Sequence, residues 1–248
     1  SLVDALIGSI TAQGKTVAVL CVDPSSPFHL GALLGDRIRM SEWYNHPGVF
    51  IRSLASRGSL GGLHPMIIEI AELVKVAGFD HIIIETVGVG QSEIEIAGLA
   101  DVTVVVVVPE AGDEVQTMKA GLMEIADIFV VNKSDRPGAD SFVKNLRLML
   151  APAYNRKAQE AEVVKTVASS GEGVQELYEV IQRKLQDGVT PEKRYWLLAE
   201  RAWHLVQEKR MRNVNKQLLL EKVRQSFGQP GFNLYQLAEE MDRLNADA

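Results

Sequence analysis

Short, nearly unbroken apolar runs, interleaved with helix-spaced patterns, constrain this chain more than any other feature it has. The runs are KTVAVLCVD (15–23), GVFIRSL (48–54), HIIIE (81–85), VTVVVVV (102–108), IFVVN (128–132) and EVVKTVAS (162–169). Between them, helical spacing of apolar residues is clearest at Met66, Ile67, Ile70, Leu73, Val74 and Ala77, with Gly78 as a stop. Further helices are expected near 93–99, near 115–125, from about Asp140 and over about 174–185. Before the first run, Leu2, Val3, Leu6, Ile7 and Ile10 keep the same spacing and Gly14 ends it. Strands apolar on both faces and alternating with helices predict an α/β fold, a mainly parallel sheet covered by helices on both faces.

Such sheets bind ligands at the carboxyl ends of their strands. The residues expected there are Asp23, Glu85, Glu110, the NKSD of 132–135 and the ASSGEG of 168–173. Polar groups therefore collect along one edge of the sheet, and that edge is the candidate site. From Pro191 the strand signal ends. A long, charged, helical stretch runs to the GQPG of 228–231, and Leu234, Leu237, Ala238, Met241 and Leu244 mark a last helix that Asn233 can cap. Residues 190–248 read as an appended helical arm, and residues 1–189 as the α/β domain. Trp196, Trp203, Leu205 and 218–220 give that arm more apolar surface than packing on its own domain would cover, which favours pairing of subunits.

With 248 residues, 46% of them hydrophobic, the chain can bury a sizeable core. Its net charge of −6 lacks the basic excess that nucleic-acid or anionic-membrane binding needs. The apolar run 102–108 is far shorter than the ~20 residues of a membrane span. Cys21 is the only cysteine, so no internal disulfide forms. The chain opens without Met and directly in helical pattern, so its N-terminus is expected to be a cut end.

The most specific motif is NKSD after IFVV. The Asp135 carboxylate can accept hydrogen bonds from guanine N1 and N2, a donor pair that adenine does not present. Asn132 can bond base and loop, and the Lys133 stem can lie along the ring. One strand later, the loop after TVASSGEG begins can offer backbone N–H groups to the base oxygen, with Val167, Ala168 and Ser169 as candidates. A hydrogen-bonding site rejects the wrong base because its polar groups are left unpaired.

Asp23 and Asp36 can hold Mg²⁺ directly or through water, because this cation takes oxygen ligands. The bland readings are a turn aspartate before Pro24 and an ion pair of Asp36 with Arg37 or Arg39. Glu85 is a third acid on the same edge, Gly88 can bring its N–H to a terminal phosphate, and Gln91 can order water or a mobile segment. A dinucleotide fingerprint in GVGQSE fails at its third glycine, where Glu93 stands. The five histidines lack metal-ligand spacing, and Ser25, Ser26 and Cys21 lack a base to activate them.

In order along the chain, VDPSSP…LLGDRIRM, ETVGVGQSE, EAGDEVQTMKAG…EIADIFVVNKSD and the helical tail resemble the methylmalonyl-CoA mutase-associated GTPases of the MeaB/ArgK/MMAA type. The resemblance implies a P-loop GTPase sheet in which Glu85 replaces the usual Walker B aspartate. It implies that Asp23, Asp36 and Glu85 are the Mg²⁺ and switch acids, with Asp36, Glu85 and Gly88 at the hydrolytic centre. Asn132, Lys133 and Asp135 would read guanine. Gln116 and Lys119 would lie in a switch that communicates with the mutase, and the tail would be a homodimerisation arm. The implied ligands are Mg²⁺ and GTP or GDP. The implied role is slow GTP hydrolysis that gates cofactor loading onto an adenosylcobalamin-dependent mutase and protects it, in the cytoplasm or, in a eukaryote, the mitochondrial matrix.

One part of the family pattern does not occur in these residues. The phosphate-binding G-x-x-x-x-G-K-[ST] loop is absent, and SLVDALIGSI looks like the helix that should follow it. The chain as it stands is expected to bind GTP weakly or not at all. Two other functions fit the same residues: a GTPase that delivers a metal to another enzyme, and a dimeric switch or scaffold whose GTP turnover is lost.

Overall fold

The computed structural model describes residues 1–23, 39–55, 64, 66–86, 99–109, 123, 125–154, 162–188, 191–211 and 214–246. Helix α1 (Leu2–Thr11) leads into strand β1 (Val17–Asp23), and a single 3₁₀ turn (Ser41–Trp43) precedes β2 (Val49–Ala55). Helix α2 (Ile67–Val76), β3 (His81–Thr86), β4 (Val104–Val107) and β5 (Ile128–Asn132) follow. Then come α3 (Ala139–Tyr154), β6 (Glu162–Thr166) and α4 (Val174–Asp187). The helices expected near 93–99 and 115–125, apart from residues 99, 123 and 125, and the glycine-rich turn at 57–63 lie outside the described residues.

Every pairing between the named strands is parallel, in the orders β2-β1-β3 and β4-β5-β6. The apolar runs sort their side chains by alternation. On β1, Val17, Val19 and Cys21 join Ile128 and Val130 of β5 in one core, which α1 and α4 cover with Ile7, Ile10, Leu177 and Tyr178. The opposite side of β1, Leu20 and Val22, packs with Leu54 against Ile67 of α2. Phe129 and Val131 of β5 pack against Phe142, Val143, Leu146 and Leu150 of α3. The sheet is thus covered on both faces, as its two-sided apolar strands require. The middle strands β1 and β5 are fully buried along their cores, whereas the equally apolar β3 and β4 are half-buried, and Val106 is 47% exposed. Among the described residues each of these two strands ends its sheet.

The amino ends of β1 and β3 are tied by side chains. Asp80 Oδ2 accepts from the Thr16 backbone N–H and from its hydroxyl, each at 2.8 Å, and the Asp80 N–H donates back to Thr16 Oγ1 at 3.0 Å. These Thr16 hydrogen bonds, backbone first, hold the Asp80 carboxyl below its usual value. Beside it, His81 lies edge-on to the Tyr178 ring of α4, with Nε2 at 3.3 Å from the Tyr178 hydroxyl and 3.4 Å from Gln182 Nε2. Burial pushes the His81 pKa down, and nearby Lys15 pushes it the same way.

The backbone groups into two compact units, Ser1–Leu198 and Ala199–Ala248, so the division falls inside helix α5 (Pro191–Met211). Helices α6 (Lys216–Ser226) and α7 (Leu234–Ala246) complete the second unit. The charged stretch from 191 is not one helix up to GQPG: it stops at Met211 and restarts at Lys216. Asn215 makes the restart, its side-chain oxygen accepting from the N–H groups of Gln217 at 2.9 Å and Leu218 at 3.3 Å. Asn233 caps α7 in the same way, through Tyr235 and Gln236. Among the described residues no helix is long and apolar enough to cross a membrane.

Candidate functional site

Asn132 is the last residue of β5 and sits in register with Thr166, the last residue of β6. Its side-chain oxygen accepts two hydrogen bonds, from the Thr166 hydroxyl at 3.2 Å and from the Ala168 N–H at 3.1 Å. One carboxamide therefore joins the NKSD turn to the loop that follows β6. A second stitch runs between the same segments, since the Ser134 N–H donates to the Thr166 carbonyl at 3.0 Å. Thr166 is fully buried, so its hydroxyl needs the partner that Asn132 supplies.

Between these anchors Lys133 is forced into the left-handed region, at φ 56°. That conformation costs a non-glycine residue on the order of 1 kcal/mol and persists where surrounding bonds fix it. Here the Arg136 N–H closes a turn onto the Lys133 carbonyl at 3.1 Å, while the Ser134 bond holds the other side. The result exposes both Lys133 and Asp135 at the sheet edge.

The loop after β6 is folded on itself. Val167 bridges Glu172, its N–H donating to the Glu172 carbonyl at 2.9 Å, and the Ser170 N–H returns to the Val167 carbonyl at 3.1 Å. Gly173 enters α4 at φ 73°, and a Cβ there would collide with the Lys165 carbonyl oxygen. Val167 is buried, Ala168 half-buried and Ser169 exposed. The Ala168 N–H donates to Asn132, which draws the two loops into direct contact.

Further along the edge, Asp23 closes β1, and Glu85 occupies the penultimate position of β3. Glu85 is half-buried and pairs in register with Cys21 of β1. The Cys21 thiol, 1% exposed, donates to Glu85 Oε2 at 3.7 Å. Among the described residues no cluster of three or more His, Cys, Asp or Glu side chains is set to hold a metal. The donors at this edge are nevertheless of the right kind, since a half-buried carboxylate near the carboxyl end of a strand suits a hard cation that keeps much of its water. Asp36, Gly88, Gln91, Gln116 and Lys119 lie outside the described residues. The structure therefore brings together Asn132, Lys133, Asp135, Val167, Ala168 and Ser169, and places Asp23 and Glu85 on the first sheet.

Three residues of this edge carry no motif signal. Thr166 is legible only through its register with Asn132, and Cys21 and Ser53 only as polar interruptions of apolar strands. A groove of 380 Å³ lined by Asp140, Val143, Lys144, Arg147, Leu148 and Lys165 shares no residue with the site.

A sequence profile of the family described as methylmalonyl-CoA mutase-associated GTPase MeaB matches residues 1–221. The chain belongs to the MeaB family. A Pyrococcus horikoshii protein described as a GTPase is 50% identical over 185 residues, 73% of this chain and 58% of the relative. The mouse methylmalonic aciduria type A homolog, described as mitochondrial, is 36% identical over 210 residues, 80% of this chain and 50% of the relative. Escherichia coli GTPase ArgK is 46% identical over 123 residues, 50% of this chain and 37% of the relative. The chain thus spans roughly half of the length of the curated relatives it matches. Among solved structures, HypB from Helicobacter pylori, in complex with nickel, aligns with a TM-score of 0.52 at 16% identity, covering 75% of this chain and 83% of that one. HypB from Archaeoglobus fulgidus aligns with a TM-score of 0.52 at 20% identity, covering 73% and 81%. These likenesses establish for this MeaB-family chain its parallel α/β fold.

Proposed function

We propose that the complete protein binds GTP and GDP with Mg²⁺ and hydrolyses GTP, with the NKSD turn and the loop after β6 reading guanine. The observation that carries this is the Asn132 side chain, whose oxygen joins the turn bearing Asp135 to the loop bearing Ser169 and so supports one reading surface. In this reading Asp135 accepts from guanine N1 and N2, the Lys133 stem lies along the base, and the Ser169 N–H is the remaining donor for the base oxygen. Asn132, Val167 and Ala168 shape the pocket from behind. Asp23, Asp36 and Glu85 hold Mg²⁺ and its water, and Gly88 contacts the terminal phosphate. The metal supplies charge neutralisation on the phosphates, and the protein residues supply position.

Membership of the MeaB family supports a wider role. The protein acts as a chaperone of an adenosylcobalamin-dependent acyl-CoA mutase, gating cofactor loading and protecting the enzyme, with Gln91, Gln116 and Lys119 carrying nucleotide state to that partner. Residues 1–189 form the nucleotide domain and 190–248 pair two copies into a homodimer, in the cytoplasm or the mitochondrial matrix. Calorimetric titration with GTP, GDP and ATP, on this chain and on the complete gene product, tests the nucleotide assignment. Tight binding of GTP and GDP but not ATP by the complete product is expected, and equal tight binding of ATP refutes it. Co-purification with a cobalamin mutase that responds to GTP against GDP tests the client, and indifference to the nucleotide contradicts it.

A further inference from the structure

The first sheet carries a polar row where its pattern calls for apolar side chains. Ser53 of β2, Cys21 of β1 and Glu85 of β3 are in-register partners across three adjacent strands. Two residues earlier the same row reads Ile51, Val19 and Ile83, with Val19 in the core under α1 and α4 and the two isoleucines packed against it. Cys21 belongs to that core and is 1% exposed, so an aliphatic side chain would serve packing at least as well. The row is costly as well as unusual. The Ser53 hydroxyl is buried without a hydrogen-bond partner among the described residues, and Glu85 brings a carboxylate to the margin of the core.

We infer that Cys21 is a positioning residue for Glu85: its thiol donates to Oε2 and thereby turns the carboxylate so that Oε1 faces the carboxyl end of the sheet and the hydration shell of Mg²⁺. The inference rests on the proposed role of Glu85 at the metal. A glutamate carboxylate can present either of its two oxygens. A donor fixed on the neighbouring strand removes that choice, because β1 and β3 are locked in register and Cys21 is enclosed on every side. The thiol is a weak donor, but the acceptor is a partly desolvated carboxylate, which strengthens the bond.

Alanine and serine are nearly equal in volume, so replacing Cys21 by each separates the donor from the packing. The complete gene product, stripped of metal with EDTA and loaded with GDP, is titrated with Mg²⁺ by calorimetry, and GDP affinity is measured separately in EDTA. Cys21→Ala is expected to weaken Mg²⁺ binding about three- to tenfold, the worth of one hydrogen bond to a charged group, while GDP affinity without metal stays unchanged. Cys21→Ser, which keeps a donor, should remain within about twofold of the parent. In a Glu85→Gln background Cys21→Ala should have no further effect. Equal weakening by alanine and serine, or no weakening by alanine, overturns the inference and leaves the role of Glu85 standing. Mg²⁺ binding indifferent to Glu85→Gln overturns that role and the inference with it.

Discussion

At the residue scale the site turns on Asn132: a single side-chain oxygen accepts from Thr166 and Ala168 and, together with the Ser134–Thr166 backbone bond, clips two loops into one surface. Asn132→Ala strands a buried hydroxyl and a backbone N–H, and should cost about 1–3 kcal/mol in urea unfolding. Asn132→Asp keeps the acceptor and should recover most of that loss. Gly173 is the other position with no alternative, since any side chain meets the Lys165 carbonyl in a backbone already at φ 73°. Gly173→Ala should destabilise by about 2 kcal/mol or more, measured the same way. A loss under half of that would show that the loop relaxes freely. The NKSD motif was legible in the sequence because its letters are spaced along one turn. The use of the Ala168 N–H was not, because it depends on how closely two separate strands end.

Among the elements, α4 carries a pH dependence through His81. The neutral imidazole is enclosed by Tyr178 and Gln182 of α4, with Lys15 and Asp80 as the charged neighbours. Its folded pKa lies below the ordinary histidine value of 6.5, so the unfolded chain takes up the proton first as pH falls. Stability from this group is complete above 6.5 and is lost as pH falls from there toward the lowered folded value. Urea midpoints should drop as pH falls below 6.5, and His81→Gln should flatten that segment. Asp80 acts lower down: its carboxyl is held below 3.8, and its contribution is lost only as pH falls through that region. An unchanged slope in His81→Gln would contradict the assignment. The six strands and the helices around them were readable from alternation because both faces of β1 and β5 are buried. The non-helical step at 214–215 was not, because one asparagine in a charged helical run is a weaker signal than GQPG, yet its cap decides where α6 begins.

On the scale of the whole molecule, the second unit exposes Trp203, Leu205, Val206, Leu218, Leu220, Phe227 and Tyr235 on a small helical body. Sedimentation should report a dimer for the complete protein and a monomer once residues 191–248 are removed. A dimer that survives the removal places the interface elsewhere. The central claim is that Asp135 selects guanine, and it has a direct test in the nucleotide affinities of the complete gene product and its Asp135→Asn variant. The parent should prefer GTP over ATP by about a hundredfold or more, the discrimination expected of a site whose acceptor would otherwise be unpaired. Asp135→Asn exchanges an acceptor for a donor, and should lose GTP while gaining xanthosine triphosphate, whose C2 carries an oxygen in place of the amino group. Equal affinity of the parent for ATP and GTP, or an Asp135→Asn variant that binds GTP as well as the parent does, would contradict the account.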